Sequence, residues 1–204
     1  MTKVAAAQSR AGIEELRVEF VRKSIHMMVA VVPTLARFSV SFTMMVLGAG
    51  LLLYTYSELM RIRGFSLGFI TKVTESASRM RDRNRFVYGP VTLGLGAMMA
   101  LMLYPEPAAA MAIYALAFGD GFSSLFGKYF GKVKIPFTGG KTYAGSFACL
   151  VSVFVIAYGI SGSLRAAVII ALVSTFLEMI PSKDLDNLII PVGTGLVTVA
   201  VMGL

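Results

Sequence analysis

Charge is scarce in this chain. Only 15% of its 204 residues are Asp, Glu, Lys or Arg, against 56% hydrophobic residues and a mean hydropathy of +0.76. So little charge cannot clothe a soluble domain, so an ordinary globular fold is excluded and a membrane class follows. Cysteine is nearly absent as well. The single Cys149 sits in an apolar run, which rules out an intrachain disulfide and a multi-cysteine metal site and leaves it as a small packing residue. Acidic residues number 11 against 19 basic ones, a net charge of +8. In a soluble protein that excess would point to nucleic acid; in a membrane protein Lys and Arg set topology and meet anionic lipid headgroups, so no nucleic-acid partner is expected. A basic start with an apolar core is also missing. Gln8, Arg10, Glu14, Glu15, Arg17 and Glu19 precede any long apolar run, so no cleaved signal peptide is expected. Nor does an internal repeat mark an inverted-repeat transporter.

What is present is a series of apolar stretches near the length of about 20 residues that a spanning helix needs. Residues 8–23 mix Ile13, Leu16, Phe20 and Val21 with charges at helical spacing, which predicts an amphipathic helix at the membrane interface. Spans are expected at 25–38, 41–60, 88–104, 107–125, 143–159, 164–180 and 187–204, with Pro33 kinking the short first one. The fold class is thus all-α, a single polytopic membrane bundle over 1–204 of about seven spans (25–204) behind an interfacial helix. Charge supports the order of spans. With a cytoplasmic N-terminus, 17 of the 19 Lys and Arg residues fall on the cytoplasmic side and only Arg37 and Arg165 on the other. The C-terminus is then expected on the opposite side. Three polar segments, 19–26, 119–146 and 178–187, share the cytoplasmic face and can converge on one site.

An ionisable group within a span is costly, so each is a candidate for function. Asp120 stands in Gly119-Asp120-Gly121, where the glycines let a metal or phosphate approach; the competing reading is a packing pair with a hydrogen-bonded aspartate. Gly127 and Gly131 have the spacing of close helix packing, followed by Lys128, Lys132 and Lys134, which read mainly as topology signals. Gly139-Gly140-Lys141-Thr142, with Gly145 and Ser146 beyond it, gathers glycine, lysine and hydroxyls as phosphate binding requires. It is not a Walker A loop, because Ile135 occupies the place of the earlier glycine and no strand precedes it. Glu178, Asp184, Asp186 and Asn187 offer hard oxygen ligands of the kind Mg²⁺ takes, although Asp186 and Asn187 equally suit a helix N-cap. Glu19, Arg22, Lys23 and His26 recur at helical spacing and share one face. His26 is the only histidine, a residue more often structural than catalytic when alone. Glu58 pairs adequately with Arg61, and the loop holding Arg79, Arg81, Arg83 and Arg85 reads as solvated, headgroup-bound, or attracting an anionic nucleotide.

Taken together, Glu19-Phe20-Val21-Arg22-Lys23-Ser24-Ile25-His26, the stretch from Gly119-Asp120 to Gly131, Lys134-Ile135-Pro136-Phe137, Lys141-Thr142-Tyr143-Ala144-Gly145-Ser146 and Asp186-Asn187-Leu188-Ile189-Ile190-Pro191 resemble the polyprenol kinase family, which includes dolichol kinase, phytol kinase and CTP-dependent diacylglycerol kinase. The wording is nearest the phytol kinase branch, while Ala144 stands where dolichol kinase-like members often carry glutamate. The resemblance implies transfer of a phosphoryl group from a nucleoside triphosphate, typically CTP, to the hydroxyl of a membrane lipid alcohol, with Mg²⁺ required. It further implies Asp120, His26 and Lys141 as catalytic residues and Asp120, Asp186 and Glu178 as metal ligands. Arg22, Lys23, Gly119, Gly127, Lys128, Gly131, Thr142, Gly145, Ser146 and Asn187 would contact the nucleotide, and Asp120 or His26 would position or accept the hydroxyl proton. A phosphatidate cytidylyltransferase making CDP-lipid is the nearest alternative, but its Pro-Gly-His-Gly-Gly signature is missing. A small transporter is the other.

Overall fold

The polar residues of this chain are turned inward and its large apolar residues outward, the reverse of a soluble protein. Glu19, Lys23, His26, Glu58, Asp120 and Glu178 are all buried, while Phe42, Met45, Leu52, Leu53, Phe147 and Phe176 stand exposed on the outer faces of helices. Hydrocarbon on the outside explains that arrangement, because lipid tails tolerate the apolar residues and leave the charges to find partners within.

The computed structural model describes residues 3–65, 68–77 and 85–204. Helix α1 covers Lys3–Met27 and passes through a 3₁₀ turn, Met28–Val31, into the seven-residue α2, Val32–Phe38. Then come α3 (Val40–Ile62), α4 (Phe69–Ala77) and α5 (Gly89–Leu103). α6 (Ala108–Tyr114) continues through a π-helical turn, Ala115–Asp120, into α7 (Gly121–Phe130). The chain closes with α8 (Tyr143–Ser161), α9 (Leu164–Met179), a 3₁₀ turn at Lys183–Leu185, and α10 (Asp186–Met202). Among the described residues there is no strand, only an isolated antiparallel bridge between Lys134 and Thr142. The chain is an all-helical membrane protein.

Among the described residues three helices are long and apolar enough to cross a membrane: Val40–Ile62, Ala108–Phe130 and Tyr143–Ser161. Gly89–Leu103 and Asp186–Met202 are shorter apolar helices. Six of the seven expected spans coincide with helices of the fold. The first, at 25–38, does not form one continuous helix. Pro33 has no N–H to give to a helical ladder, and the chain breaks there into the 3₁₀ turn and α2.

The helix Ala108–Phe130 is the centre of the bundle. Ala108, Ala109, Ala110, Ala112, Ala115 and Ala117 are buried almost completely, and side chains this small let neighbouring helices approach closely without a large driving force from water. Leu116 and Met111 pack with Cys149, Val153, Ala167, Ile170 and Ile190 into a core shared by α8, α9 and α10. On the other side Ile113 and Ala117 meet Val29, Val32, Ala97 and Ala100. Cys149 is a free, buried packing residue, as its apolar setting implies.

Helix α1 departs from the expected interfacial helix in orientation. Ile13 and Phe20 are more than half exposed, whereas Glu19, Lys23 and His26 are sealed against the bundle. The charged face is therefore an internal one, packed on α7 and the π turn. The side chains of Gln8 and Arg10, and the arginines at 79, 81 and 83, lie outside the described residues.

Candidate active site

The site begins with a backbone irregularity. A π turn holds one more residue per hydrogen-bonded ring than an α turn, which shifts the register of the helix and leaves carbonyls open to other donors. Here it spans Ala115–Asp120. His26 uses one of the carbonyls, placing Nε2 2.9 Å from the Leu116 oxygen. A carbonyl only accepts, so Nε2 carries the hydrogen in this contact and Nδ1 is left as the basic nitrogen of the ring. The same Nε2 lies 3.3 Å from Asp120 Oδ2.

Asp120, at the end of the π turn, is the centre of the cluster. Its Oδ2 accepts from Lys23 Nζ, and both side chains are buried. Its Oδ1 is buried with no hydrogen-bond partner. A buried carboxylate oxygen left unpaired costs free energy, and such orphans in a folded chain call for an explanation, a bound ion or ligand among them. Arg22, one residue before Lys23, donates to Glu19 at 2.5 Å, and Lys128 on α7 approaches the other Glu19 oxygen at 3.5 Å. The first pair lies within α1, and the Lys128 contact fastens α1 to α7.

The second half of the site is built on the loop between α7 and α8. Ile135 N–H donates to Lys141 O at 2.8 Å and Tyr143 N–H to Val133 O at 3.2 Å, closing the loop on itself. Thr142 ends it as the N-cap of α8, its Oγ1 accepting from Gly145 N–H at 3.2 Å. Lys141 is thereby aimed back into the bundle, where its Nζ meets Glu178 Oε1 at 2.5 Å. Burial works against its charge, but Glu178 and Asp120 outweigh that and hold the ammonium above the ordinary lysine value.

Glu178 is fully buried and committed to protein donors. Ser123 gives a hydrogen bond to Oε1 at 2.6 Å, and Ser146 reaches Oε2 at 3.4 Å. The same carboxylate, expected as a metal ligand, orients Lys141. Asp186 Oδ1 accepts from Asn187 N–H at 3.0 Å, and its carboxylate lies within electrostatic reach of Asp120, Lys23 and Lys141. Asn187 turns its amide away from the cluster, to Thr92 Oγ1 at 2.9 Å and Gly89 O at 3.3 Å, and so joins α10 to α5.

The glycines expected at a nucleotide serve close packing. A Cβ on Gly145 would lie 2.7 Å from the Ser123 carbonyl oxygen, and one on Gly127 would lie 3.0 Å from Thr142 Oγ1. Gly131 is closed off by Thr142 and Gly119 by Val153 and Cys149. These residues bring α7 and α8 together so that Ser123, Lys141 and Ser146 can share Glu178. Two participants escaped sequence reasoning. Ser123 carries no signal of its own, since a lone hydroxyl in an apolar helix commonly bonds its own backbone, and the Leu116 carbonyl is exposed by a π turn that no side-chain pattern announces.

The resemblance implies Mg²⁺, and among the described residues no three His, Cys, Asp or Glu side chains form a closed metal cage. Mg²⁺ does not require one. It commonly takes one or two carboxylates and completes its shell with phosphate oxygens and water. The orphaned Asp120 Oδ1, with Asp186 nearby, fits that mode, whereas Glu178 already accepts from Ser123 and Lys141 at Oε1 and from Ser146 at Oε2.

Known proteins bear on this cluster. The chain is 26% identical over 163 residues to a probable chloroplastic phytol kinase of Triticum aestivum, covering 70% of this chain and 54% of that protein. It is 30% identical over 140 residues to probable phytol kinase 3 of Glycine max, covering 60% and 44%. It is also 30% identical over 129 residues to the farnesol kinase of Arabidopsis thaliana, covering 55% and 42%. The chain spans about half the length of the curated relatives it matches. No family model and no solved structure matches it. These relatives carry the same family that the polar segments resemble, and they support the polyprenol and phytol kinase family for this chain.

Proposed function

We propose that the chain is a membrane-embedded lipid-alcohol kinase that moves the γ-phosphoryl group of a nucleoside triphosphate, CTP by family resemblance, to the hydroxyl of an isoprenoid alcohol or diacylglycerol. The observation that carries the reading is the buried Lys23–Asp120–His26 cluster on the π turn, with Asp120 Oδ1 left without a partner. The curated relatives are named as phytol and farnesol kinases, which favours the same class.

Phosphoryl transfer asks a protein mainly for positioning and for neutralisation of phosphate charge. Lys141, Lys23 and Arg22 supply cations around one acidic centre, and Glu178 fixes where Lys141 points. Asp120, with Asp186, would hold Mg²⁺, which supplies further neutralisation of the triphosphate. The alcohol oxygen attacks the γ-phosphorus, the bond to the bridging oxygen breaks, and the nucleoside diphosphate leaves. The hydroxyl proton passes to His26 Nδ1, which the hydrogen bonds of the cluster leave basic and uncommitted, or to Asp120 Oδ1 where Asp186 holds the metal in its place. The N-terminus and the site face the cytoplasm, with the C-terminus opposite.

The test uses CTP labelled at either the α or the γ position, with farnesol or phytol and Mg²⁺. Label in the lipid product is expected from the γ position only; a CDP-lipid carrying α label would establish a cytidylyltransferase instead. Asp120→Asn should lower the rate at least a hundredfold, in keeping with the loss of a charged group at the reacting centre. Undiminished turnover would remove Asp120 from the site.

A further inference from the structure

An apolar cleft of about 230 Å³ opens beside the charged cluster. Ile25 of α1, Ile70 and Val73 of α4, and Pro90 and Leu93 of α5 form its walls. Arg22, His26 and Asn187 of the charged cluster and its surroundings also line it, as do Tyr54, Thr74 and Asp184. Arg22 Nε is buried there without a hydrogen-bond partner, a second sign that the lining beside Arg22 is shaped for a polar group not supplied by the chain. Phe69 also lines the cleft and is itself 79% exposed, so the cleft opens to the outside of the bundle beside an apolar side chain.

The wall formed by residues 85–88 is fastened from below. Glu58, buried on α3, accepts from Val87 N–H at 2.8 Å and from Arg61 at 2.8 and 2.6 Å, and Arg61 also donates to Arg85 O at 2.8 Å. Tyr54 OH donates to Val87 O at 2.9 Å. The ion pair expected between Glu58 and Arg61 is therefore present and has a further task, to hold one side of the cleft.

We propose that this cleft is the acceptor pocket, receiving the hydroxyl-bearing end of the lipid alcohol from the bilayer and delivering its oxygen past Arg22 and His26 to the Asp120 cluster. The proposal rests on the kinase reading and adds to it a location and a selectivity. A nucleotide base would need polar partners along its edges, whereas the lining is mainly apolar, with Tyr54, Thr74 and Asp184 among its polar members beyond Arg22, His26 and Asn187; a hydrocarbon chain ending in one hydroxyl matches such a lining better. At ~30 Å³ per water-sized group the cleft holds about eight such groups. It thus encloses the first one or two isoprene units and leaves the rest of the tail in lipid. Because the tail arrives from hydrocarbon rather than from water, each methylene that enters gains only the packing contacts of the cleft wall, not the full hydrophobic transfer. At equal mole fraction in the membrane, kcat/KM should therefore rise from a five-carbon to a ten-carbon alcohol and level off beyond.

Val73→Trp fills the cleft from α4. In the full chain in detergent, with CTP, Mg²⁺ and farnesol, the KM for farnesol is expected to rise at least tenfold while that for CTP stays within twofold. An unchanged farnesol KM, a CTP KM that rises in its place, or a kcat/KM that keeps climbing steeply past fifteen carbons overturns the pocket and leaves the kinase reading intact. Where the variant fails to fold, the unaltered chain is labelled with a farnesol analogue carrying a diazirine near its hydroxyl. Labelled peptides from α4 and the start of α5 support the pocket, and label confined to α8 and α9 overturns it. This second measurement needs no turnover, so a chain that phosphorylates no alcohol would sink the kinase reading while still reporting on the cleft.

Discussion

Lys141 and Glu178 show how much depends on which member of a buried pair is removed. Glu178 is completely enclosed, whereas a quarter of the Lys141 side chain is exposed. Lys141→Met therefore strands a carboxylate with only Ser123 and Ser146 as donors, and a cost on the order of 3 kcal/mol is expected. Glu178→Gln keeps a hydrogen-bonding group in place and leaves a lysine that can turn toward water, so its cost should be about 1 kcal/mol. Denaturation midpoints in detergent check the order, and the double variant should cost less than the sum because the two residues act on each other. Equal midpoints for the two single variants would mean that the pair is more hydrated than its burial implies. The pH dependence follows from the raised Lys141 value. A group whose folded pKa is raised gives its stabilisation in full below the unfolded value and loses it as pH climbs through the folded one. The pair should hold across neutral pH and weaken only above the ordinary lysine range.

At the scale of helices, the glycines separate positions that a sequence cannot tell apart. Gly145 and Gly159 both lie in α8, yet a Cβ would meet the Ser123 carbonyl at the first and nothing within 4 Å at the second. Gly145→Ala should drive α7 and α8 apart, lower the thermal midpoint and disturb the Lys141 geometry. Gly159→Ala should be neutral or stabilising by up to ~1 kcal/mol, because alanine is the better helix former. A matched loss in both would show that the α7–α8 contact is looser than described. The same contrast explains what was legible beforehand. Spans 41–60, 107–125 and 143–159 could be read because a membrane imposes a length and a hydrophobicity on each segment. Asp120, Lys23, His26, Lys141 and Glu178 could be read because burying a charge is costly enough to require a reason. For Gly119, Gly127, Gly131 and Gly145 the sequence leaves nucleotide contact and helix packing open together, because a missing side chain looks the same whether it makes room for a ligand or for another helix; the structure shows the packing. The inward turn of the α1 charges is also invisible locally. Helical spacing puts Glu19, Lys23 and His26 on one face, and only α7 and the π turn decide that the face is an internal one.

For the whole molecule, one asymmetry serves two ends. Lysines and arginines retained on one side of a bilayer orient the chain, and 17 of 19 fall on the side assigned to the cytoplasm. Lys23, Lys128 and Lys141 belong to that majority and also meet Glu19, Asp120 and Glu178 in the candidate site. Orientation and chemistry are therefore not independent, and a topology experiment bears on both. Helix α5, 15 residues at about 1.5 Å each, is roughly 22 Å long, shorter than a hydrocarbon core of about 30 Å. It crosses only if the flanking residues extend it or the bilayer thins around it. Reporter fusions after Arg85 and after Tyr104 decide the matter: opposite sides are expected, with Arg85 in the cytoplasm. If both reporters fall on the same side, α5 does not cross, the Asp120 cluster moves to the other face relative to the arginine-rich loop, and a kinase fed by cytoplasmic nucleotide no longer fits the fold.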